Sequence, residues 1–120
     1  MYQHVNHATM VTVLEEARIP FLRDAFGADI STTGLLIAEV RIGYKGQLRL
    51  ADSPLQVTIW VNRLRAVDFT LGYEVRSVNA DPESKPAVVA ETQLATFHID
   101  EQRLVRLSPH HREYLQRWLR

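Results

Sequence analysis

Apolar residues recur at intervals of three and four between residues 8 and about 26, where Val11, Leu14, Ala17, Phe21, Leu22 and Ala25 form a stripe. That spacing predicts a helix. Met10, Val13 and Ile19 widen the stripe, which predicts burial on most sides. Pro20 falls inside it and should kink the helix or end its first half. Small and polar residues over 27–34 read as a connection. Beyond them the period changes to two. Leu36, Ala38, Val40, Ile42 and Tyr44 alternate with Ile37, Glu39, Arg41, Gly43 and Lys45. Leu55, Val57, Ile59 and Val61 alternate with Gln56, Thr58, Trp60 and Asn62. The cleanest alternation runs over 67–76, with Val67, Phe69, Leu71, Tyr73 and Val75 on one side. Residues 79–86 hold a turn cluster with two prolines. Residues 88–99 are apolar on both faces, as a central strand would be, and 103–107 extend that strand past a turn at Asp100-Glu101. Ser108-Pro109 is an N-cap followed by proline at the first helical position, ahead of a short amphipathic helix carrying Tyr114, Leu115, Trp118 and Leu119. One long helix, a run of antiparallel strands and a small helix predict an α+β fold in which the sheet wraps the long helix.

Composition narrows the picture. With 120 residues, 46% of them apolar, the chain is expected to form one domain over 1–120 with its own core. No apolar run approaches the roughly 18 residues of a membrane span, so no membrane partner is expected. Lys plus Arg and Asp plus Glu both number 14, giving zero net charge; a nucleic-acid partner would normally bring a basic surplus. The chain has no cysteine, which removes disulfides, thiolate zinc sites and a cysteine nucleophile. The N-terminus lacks a basic region followed by an apolar run, so the expected location is the cytoplasm.

The candidate chemistry sits at the mouth of the long helix. Tyr2-Gln3-His4-Val5-Asn6-His7 places two imidazoles and an amide where a helix offers unpaired N–H groups and a partial positive charge. Such a terminus suits a developing oxyanion. This segment, with Glu15-Glu16-Ala17-Arg18 behind it, resembles the hotdog-fold acyl-CoA thioesterases of the 4-hydroxybenzoyl-CoA thioesterase family, which typically read G-H-V-N-N before an E-x-A-R helix. Trp60-Val61-Asn62-Arg63, Phe69-Thr70-Leu71-Gly72-Tyr73-Glu74 and Val105-Arg106-Leu107-Ser108-Pro109 continue the resemblance over nearly the whole chain. Gln3 stands where the family has glycine. The family also carries an aspartate six residues before the histidine of the motif. Counted back from His4 it falls upstream of Met1, so the resemblance implies that this chain lacks the first strand and its aspartate.

What the resemblance implies is a hotdog domain that hydrolyses an acyl-CoA thioester to a free acid and CoA, with no metal and no cofactor. Its active site would form between two subunits of a homodimer or homotetramer. The backbone N–H groups of His7, Ala8 and Thr9 would polarise the thioester carbonyl, while His4 and Asn6 orient thioester or water. The plainer alternative is that Asn6 caps the helix and His4 binds a loop carbonyl. Glu15 is the carboxylate within this chain that could act as base; the alternative is an ion pair between Glu15 and Arg18, three residues apart. Arg63, Arg65, Lys45 and Arg49 are candidate cations for the CoA phosphates, each otherwise a solvated charge. Phe69, in the series with Val57, Ile59, Leu71 and Tyr73, is either core or acyl pocket. His4 and His7 lack a recognisable third ligand, so no metal is expected, and His110-His111 are expected on a solvated surface. Without the aspartate, the competing function is a non-catalytic hotdog module that binds acyl-CoA or assembles. A hydratase or dehydratase of the same fold is a further alternative.

Overall fold

The computed structural model describes residues 6–27, 33–48 and 54–120. Helix α1 runs over His7–Phe26. Asn6 adopts extended backbone angles, and its Oδ1 accepts from the Thr9 N–H at 2.8 Å. The helix ends at Gly27, whose φ of 53° lies in the left-handed region that glycine enters freely, and whose N–H donates to the Arg23 carbonyl. Pro20 neither ends nor divides the helix: α1 is continuous through it, with Pro20 on the exposed side. The expectation of burial on most sides fails as well. Met10, Leu14, Arg18, Leu22, Ala25 and Phe26 are buried, whereas Ile19 is 45% exposed. The wide apolar stripe therefore resolves into one core row and two flanks.

The strands are β1 (Thr33–Tyr44), β2 (Leu55–Leu64), β3 (Asp68–Ser77), β4 (Val88–His98) and the two-residue β5 (Arg103–Leu104), followed by helix α2 (Pro109–Gln116). All pairings are antiparallel, in the spatial order β1-β4-β3-β2, with β5 added to β4. The doubly apolar stretch is thus an interior strand, as its pattern implies. The passage from β1 to β2 is not a hairpin, because β4 and β3 lie between them. Ser108 caps α2, its Oγ accepting from the His111 N–H at 3.2 Å.

Phe69, Leu71, Tyr73 and Val75 of β3, with Val88, Ala90 and Leu94 of β4, form the inner face against α1. Burial of each Val, Leu or Phe among them contributes roughly 1.5–3 kcal/mol relative to exposure. Phe26 stacks on Phe69 at 5.9 Å between ring centroids, and Phe21 meets Tyr114 and Trp118 of the C-terminal segment edge-on. The other face of the sheet is polar. There the Trp60 indole lies flat over Gly72, where any Cβ would come within 2.5 Å of it, and the Arg120 guanidinium stacks above the ring at 4.4 Å. The backbone around Leu119 bridges to the outer edge of β2, with Val61 N–H donating to Trp118 O and Arg120 N–H to Val61 O. Together these elements form an antiparallel sheet curved around one central helix, a hotdog-type α+β fold.

Candidate active site

The first four N–H groups of a helix have no partner within it. In α1 the Asn6 side chain takes one of them, Thr9 N–H, at 2.8 Å, and the regular ladder begins with Met10 N–H donating to the Asn6 carbonyl at 2.9 Å. The N–H groups of His7 and Ala8 have no partner among the described residues, and both residues are exposed. The first turn holds no acidic side chain to neutralise the terminus. Two adjacent donors at the positive end of a 20-residue helix can receive an oxygen that gains negative charge.

His7 reaches across from this terminus to the end of β1. Its Nδ1 lies 2.8 Å from the Tyr44 hydroxyl, and the two rings meet edge-on with centroids 6.0 Å apart. Desolvation raises the Tyr44 pKa above the ordinary phenol value. The helical repeat carries this contact along α1, because Val11, Glu15 and Ile19 follow His7 at steps of four and share its flank. At its start that flank meets β1 through His7, and further along Glu15 and Ile19 are exposed. On the facing strand, Ile37, Val40 and Tyr44 pair with the inward residues Leu94, Thr92 and Val88 of β4, so they belong to the inner face. They are nevertheless 51%, 45% and 47% exposed. The opposite flank of α1, with Val13, Ala17 and Phe21, is the one that packs on α2 through Phe21. Among the described residues, helix and C-terminal segment pack together on one side of the domain, and on the other Ile37, Val40 and Tyr44 of β1 stay about half exposed, with Tyr44 meeting His7 at the helix start.

The residues expected from the sequence are distributed as follows. His4 lies outside the described residues, as does Arg49. Asn6 caps the helix, and in doing so occupies the Thr9 N–H, which removes Thr9 from the set of free donors. His7 and Ala8 stand at the terminus. Glu15 is exposed on the His7 flank, eight residues along, or about 12 Å of helix rise. It forms no pair with Arg18: Arg18 is 7% exposed and turns into the core, with its Nη1 donating to the Tyr73 hydroxyl at 3.5 Å. Phe69 is fully buried beside Phe26, at the far end of α1 from His7, and is core. Arg65 is engaged with Asp68 at 2.9 Å. Arg63 lies on the outer sheet face, in a polar cleft of about 350 Å³ with Glu39, Arg41, Asn62 and Glu91. Lys45 directly follows Tyr44 and is exposed. His110 is exposed, but His111 is not on a solvated surface: it is 4% exposed, with its ring 4.5 Å from that of Phe26. Its position on the inward side of the short α2 explains the difference between the two neighbours.

Sequence reasoning missed Tyr44 as a site residue. It is the last member of an alternating series, and nothing local marks it as standing beside a residue 37 positions earlier. Among the described residues no group of three or more His, Asp or Glu side chains is arranged to hold a metal ion, and no helix is long and apolar enough to cross a membrane.

Comparison with known proteins bears on the family and the fold. The sequence model of the thioesterase-like superfamily matches residues 1–119. No curated protein sequence is similar enough to count as a match. Among solved structures, a predicted thioesterase from Bacillus stearothermophilus superposes with a TM-score of 0.81 at 16% identity, covering 98% of this chain and 85% of that one. A probable thioesterase from Escherichia coli, YbaW, gives 0.77 at 22% identity over 100% of this chain and 90% of its own. The dynemicin thioesterase, whose crystal structures describe polyene binding, gives 0.83 at 14% identity over 98% and 86%. At these identities the structural likeness concerns the fold.

Proposed function

Because the chain belongs to the thioesterase-like superfamily, which its sequence matches over residues 1–119, we propose that it hydrolyses an acyl-CoA thioester to a free acid and CoA. The observation that carries this reading is the pair of His7 and Ala8 N–H groups, without a partner among the described residues, at a helix terminus that His7 ties to Tyr44 of the half-exposed β1. The acyl group lies against Ile37 and Val40, and the thioester oxygen points at the two donors. Glu15 stands two turns further along the same flank, with its side chain leaning back toward the helix start. It takes a proton from water, the water oxygen bonds to the carbonyl carbon, and the oxyanion forms on the N–H pair. Collapse breaks the carbon–sulfur bond, and the CoA thiolate leaves and is protonated. Lys45 follows Tyr44, but its side chain lies over Gly43 on the outer face of the sheet, so it would meet the CoA phosphates only around the end of β1. Arg63 and Arg65 would meet a nucleotide only from a neighbouring subunit.

The edge of β1 that carries no strand among the described residues, with Leu36, Ile37 and Val40 exposed, fits pairing with β1 of a second copy. Such a homodimer would extend the sheet and roof the strip. A second reading, a hotdog module that binds acyl-CoA without turning it over, is favoured by the distance of Glu15 from the helix terminus and by the absence of a carboxylate in the first turn.

Thiol release from a panel of acyl-CoA thioesters separates the two. Hydrolysis predicts free CoA, with Glu15→Gln lowering kcat by about a hundredfold or more while KM changes little. Saturable acyl-CoA binding with no thiol released would select the module, and conversion of an enoyl thioester would select a hydratase.

A further inference from the structure

We propose that Tyr44 is a positioning residue for His7: its hydroxyl donates to His7 Nδ1 and holds the ring in the tautomer protonated on Nε2, which supplies a third N–H donor at the helix terminus. The inference rests on the thioester-hydrolysis reading above.

A neutral imidazole has one donor nitrogen and one acceptor nitrogen, and the partner of one fixes the role of the other. Here the partner is a phenol 2.8 Å from Nδ1. Two polarities are conceivable for such a contact. A phenol is the stronger hydrogen donor and an imidazole nitrogen the stronger acceptor, so the proton sits on the Tyr44 oxygen and points at Nδ1. The desolvation that raises the Tyr44 pKa keeps that proton in place at neutral pH. Nδ1 is then the acceptor, and the ring proton must be on Nε2.

Both partners are held by regular structure. Tyr44 is fixed in β1 by its pairing with Val88, and the next residue, Lys45, donates its N–H to Ala87 O at 2.8 Å. His7 is the first residue of α1, immediately after the Asn6 cap. The edge-on contact of the rings, with 62° between their planes, restrains the imidazole further. The backbone N–H and the ring belong to one residue at the terminus, and on this proposal a carbonyl oxygen received by the backbone pair also meets Nε2–H. A histidine locked the other way would present a lone pair there and repel a developing oxyanion.

The experiment combines nitrogen-15 NMR of the His7 ring with kinetics on the full chain. The expected spectrum at neutral pH has Nε2 protonated and Nδ1 bare, and Tyr44→Phe replaces it by a tautomer mixture. Tyr44→Phe keeps the aromatic packing and removes only the donor. It should lower kcat on the order of tenfold with KM unchanged, as expected for loss of one oriented hydrogen bond. In a His7→Ala background the same substitution should cost nothing further. A proton found on Nδ1 in a chain that does release thiol overturns this inference alone. An unchanged kcat in Tyr44→Phe, or an equal loss in both backgrounds, also overturns it. If the unaltered chain releases no thiol from any acyl-CoA, the hydrolysis reading fails and takes this role of Tyr44 with it, whatever the tautomer.

Discussion

Replacing Asn6 in two ways separates what it does for the helix from what the helix terminus does for catalysis. Asn6→Ala removes the Oδ1 that accepts from Thr9 N–H at 2.8 Å. Losing such a cap costs about 1 kcal/mol, within a range of roughly 0.5–2, and an exposed cap belongs in the lower half. Unfolding entropy of about 2.1 cal/mol/K per residue over 120 residues amounts to about 0.25 kcal/mol/K, so the Tm should fall by roughly 4 °C. Asn6→Asp keeps the acceptor and adds a negative charge at the positive end of the helix, worth about 0.3–1 kcal/mol at low salt. Its Tm should hold or rise by roughly 1–4 °C. Activity should order the variants the other way. Alanine frees a third N–H without adding charge, so kcat should stay within a few-fold of the parent. Aspartate places a carboxylate about 6 Å from an oxyanion held by the His7 and Ala8 N–H groups; with an effective dielectric of about 40–80, the repulsion is about 0.7–1.4 kcal/mol, or a roughly three- to tenfold fall in kcat. Thermal melts by circular dichroism and thiol release at low and high salt read both quantities. Raising ionic strength toward 1 M, where the screening length shrinks to about 3 Å, should recover most of the Asn6→Asp defect. An Asn6→Asp protein that is both more stable and fully active would refute the idea that the oxyanion forms at this terminus. A melt of Asn6→Ala indistinguishable from the parent would refute the capping role.

Two further expectations concern parts of the fold around the site. The Thr92 hydroxyl is fully buried without a hydrogen-bond partner among the described residues. Thr92→Val, which replaces it by a methyl group of similar shape, should therefore stabilise by about 1 kcal/mol and raise the Tm by roughly 4 °C; a lower Tm would mean that the hydroxyl has a partner in solution. Ile37→Lys puts a charge on the exposed strip of the β1 edge. The unaltered chain should sediment at twice the 13.8 kDa of one chain, and the variant at the single mass with reduced thiol release; an unaltered chain that is monomeric yet active would sink the paired-edge reading.

What could be read from the sequence and what could not divides along the distance between the residues concerned. The Ser108-Pro109 start of α2 and the alternation through β3 depend on neighbours within a few positions, and the structure has both. The order β1-β4-β3-β2 depends on which strand edges meet, and an alternating pattern records faces but not neighbours. The same limit governs the site. Asn6 lies three residues from the N–H it caps, so its capping role was visible as an alternative to catalysis. Tyr44 lies 37 residues from His7, so its part in the site was not. Local spacing can also mislead. Glu15 and Arg18 satisfy the distance rule for an ion pair, yet none forms, because Arg18 occupies the row Met10, Leu14, Arg18, Leu22 that α1 buries as a unit. The helix turns that whole row toward β3, and the cation goes with it to the Tyr73 hydroxyl. Glu15 belongs to the row of His7 instead and stays exposed. The packing that denies Glu15 its expected partner leaves its carboxylate in solvent, with Arg23 two turns further along the same row and no ion pair between them among the described residues.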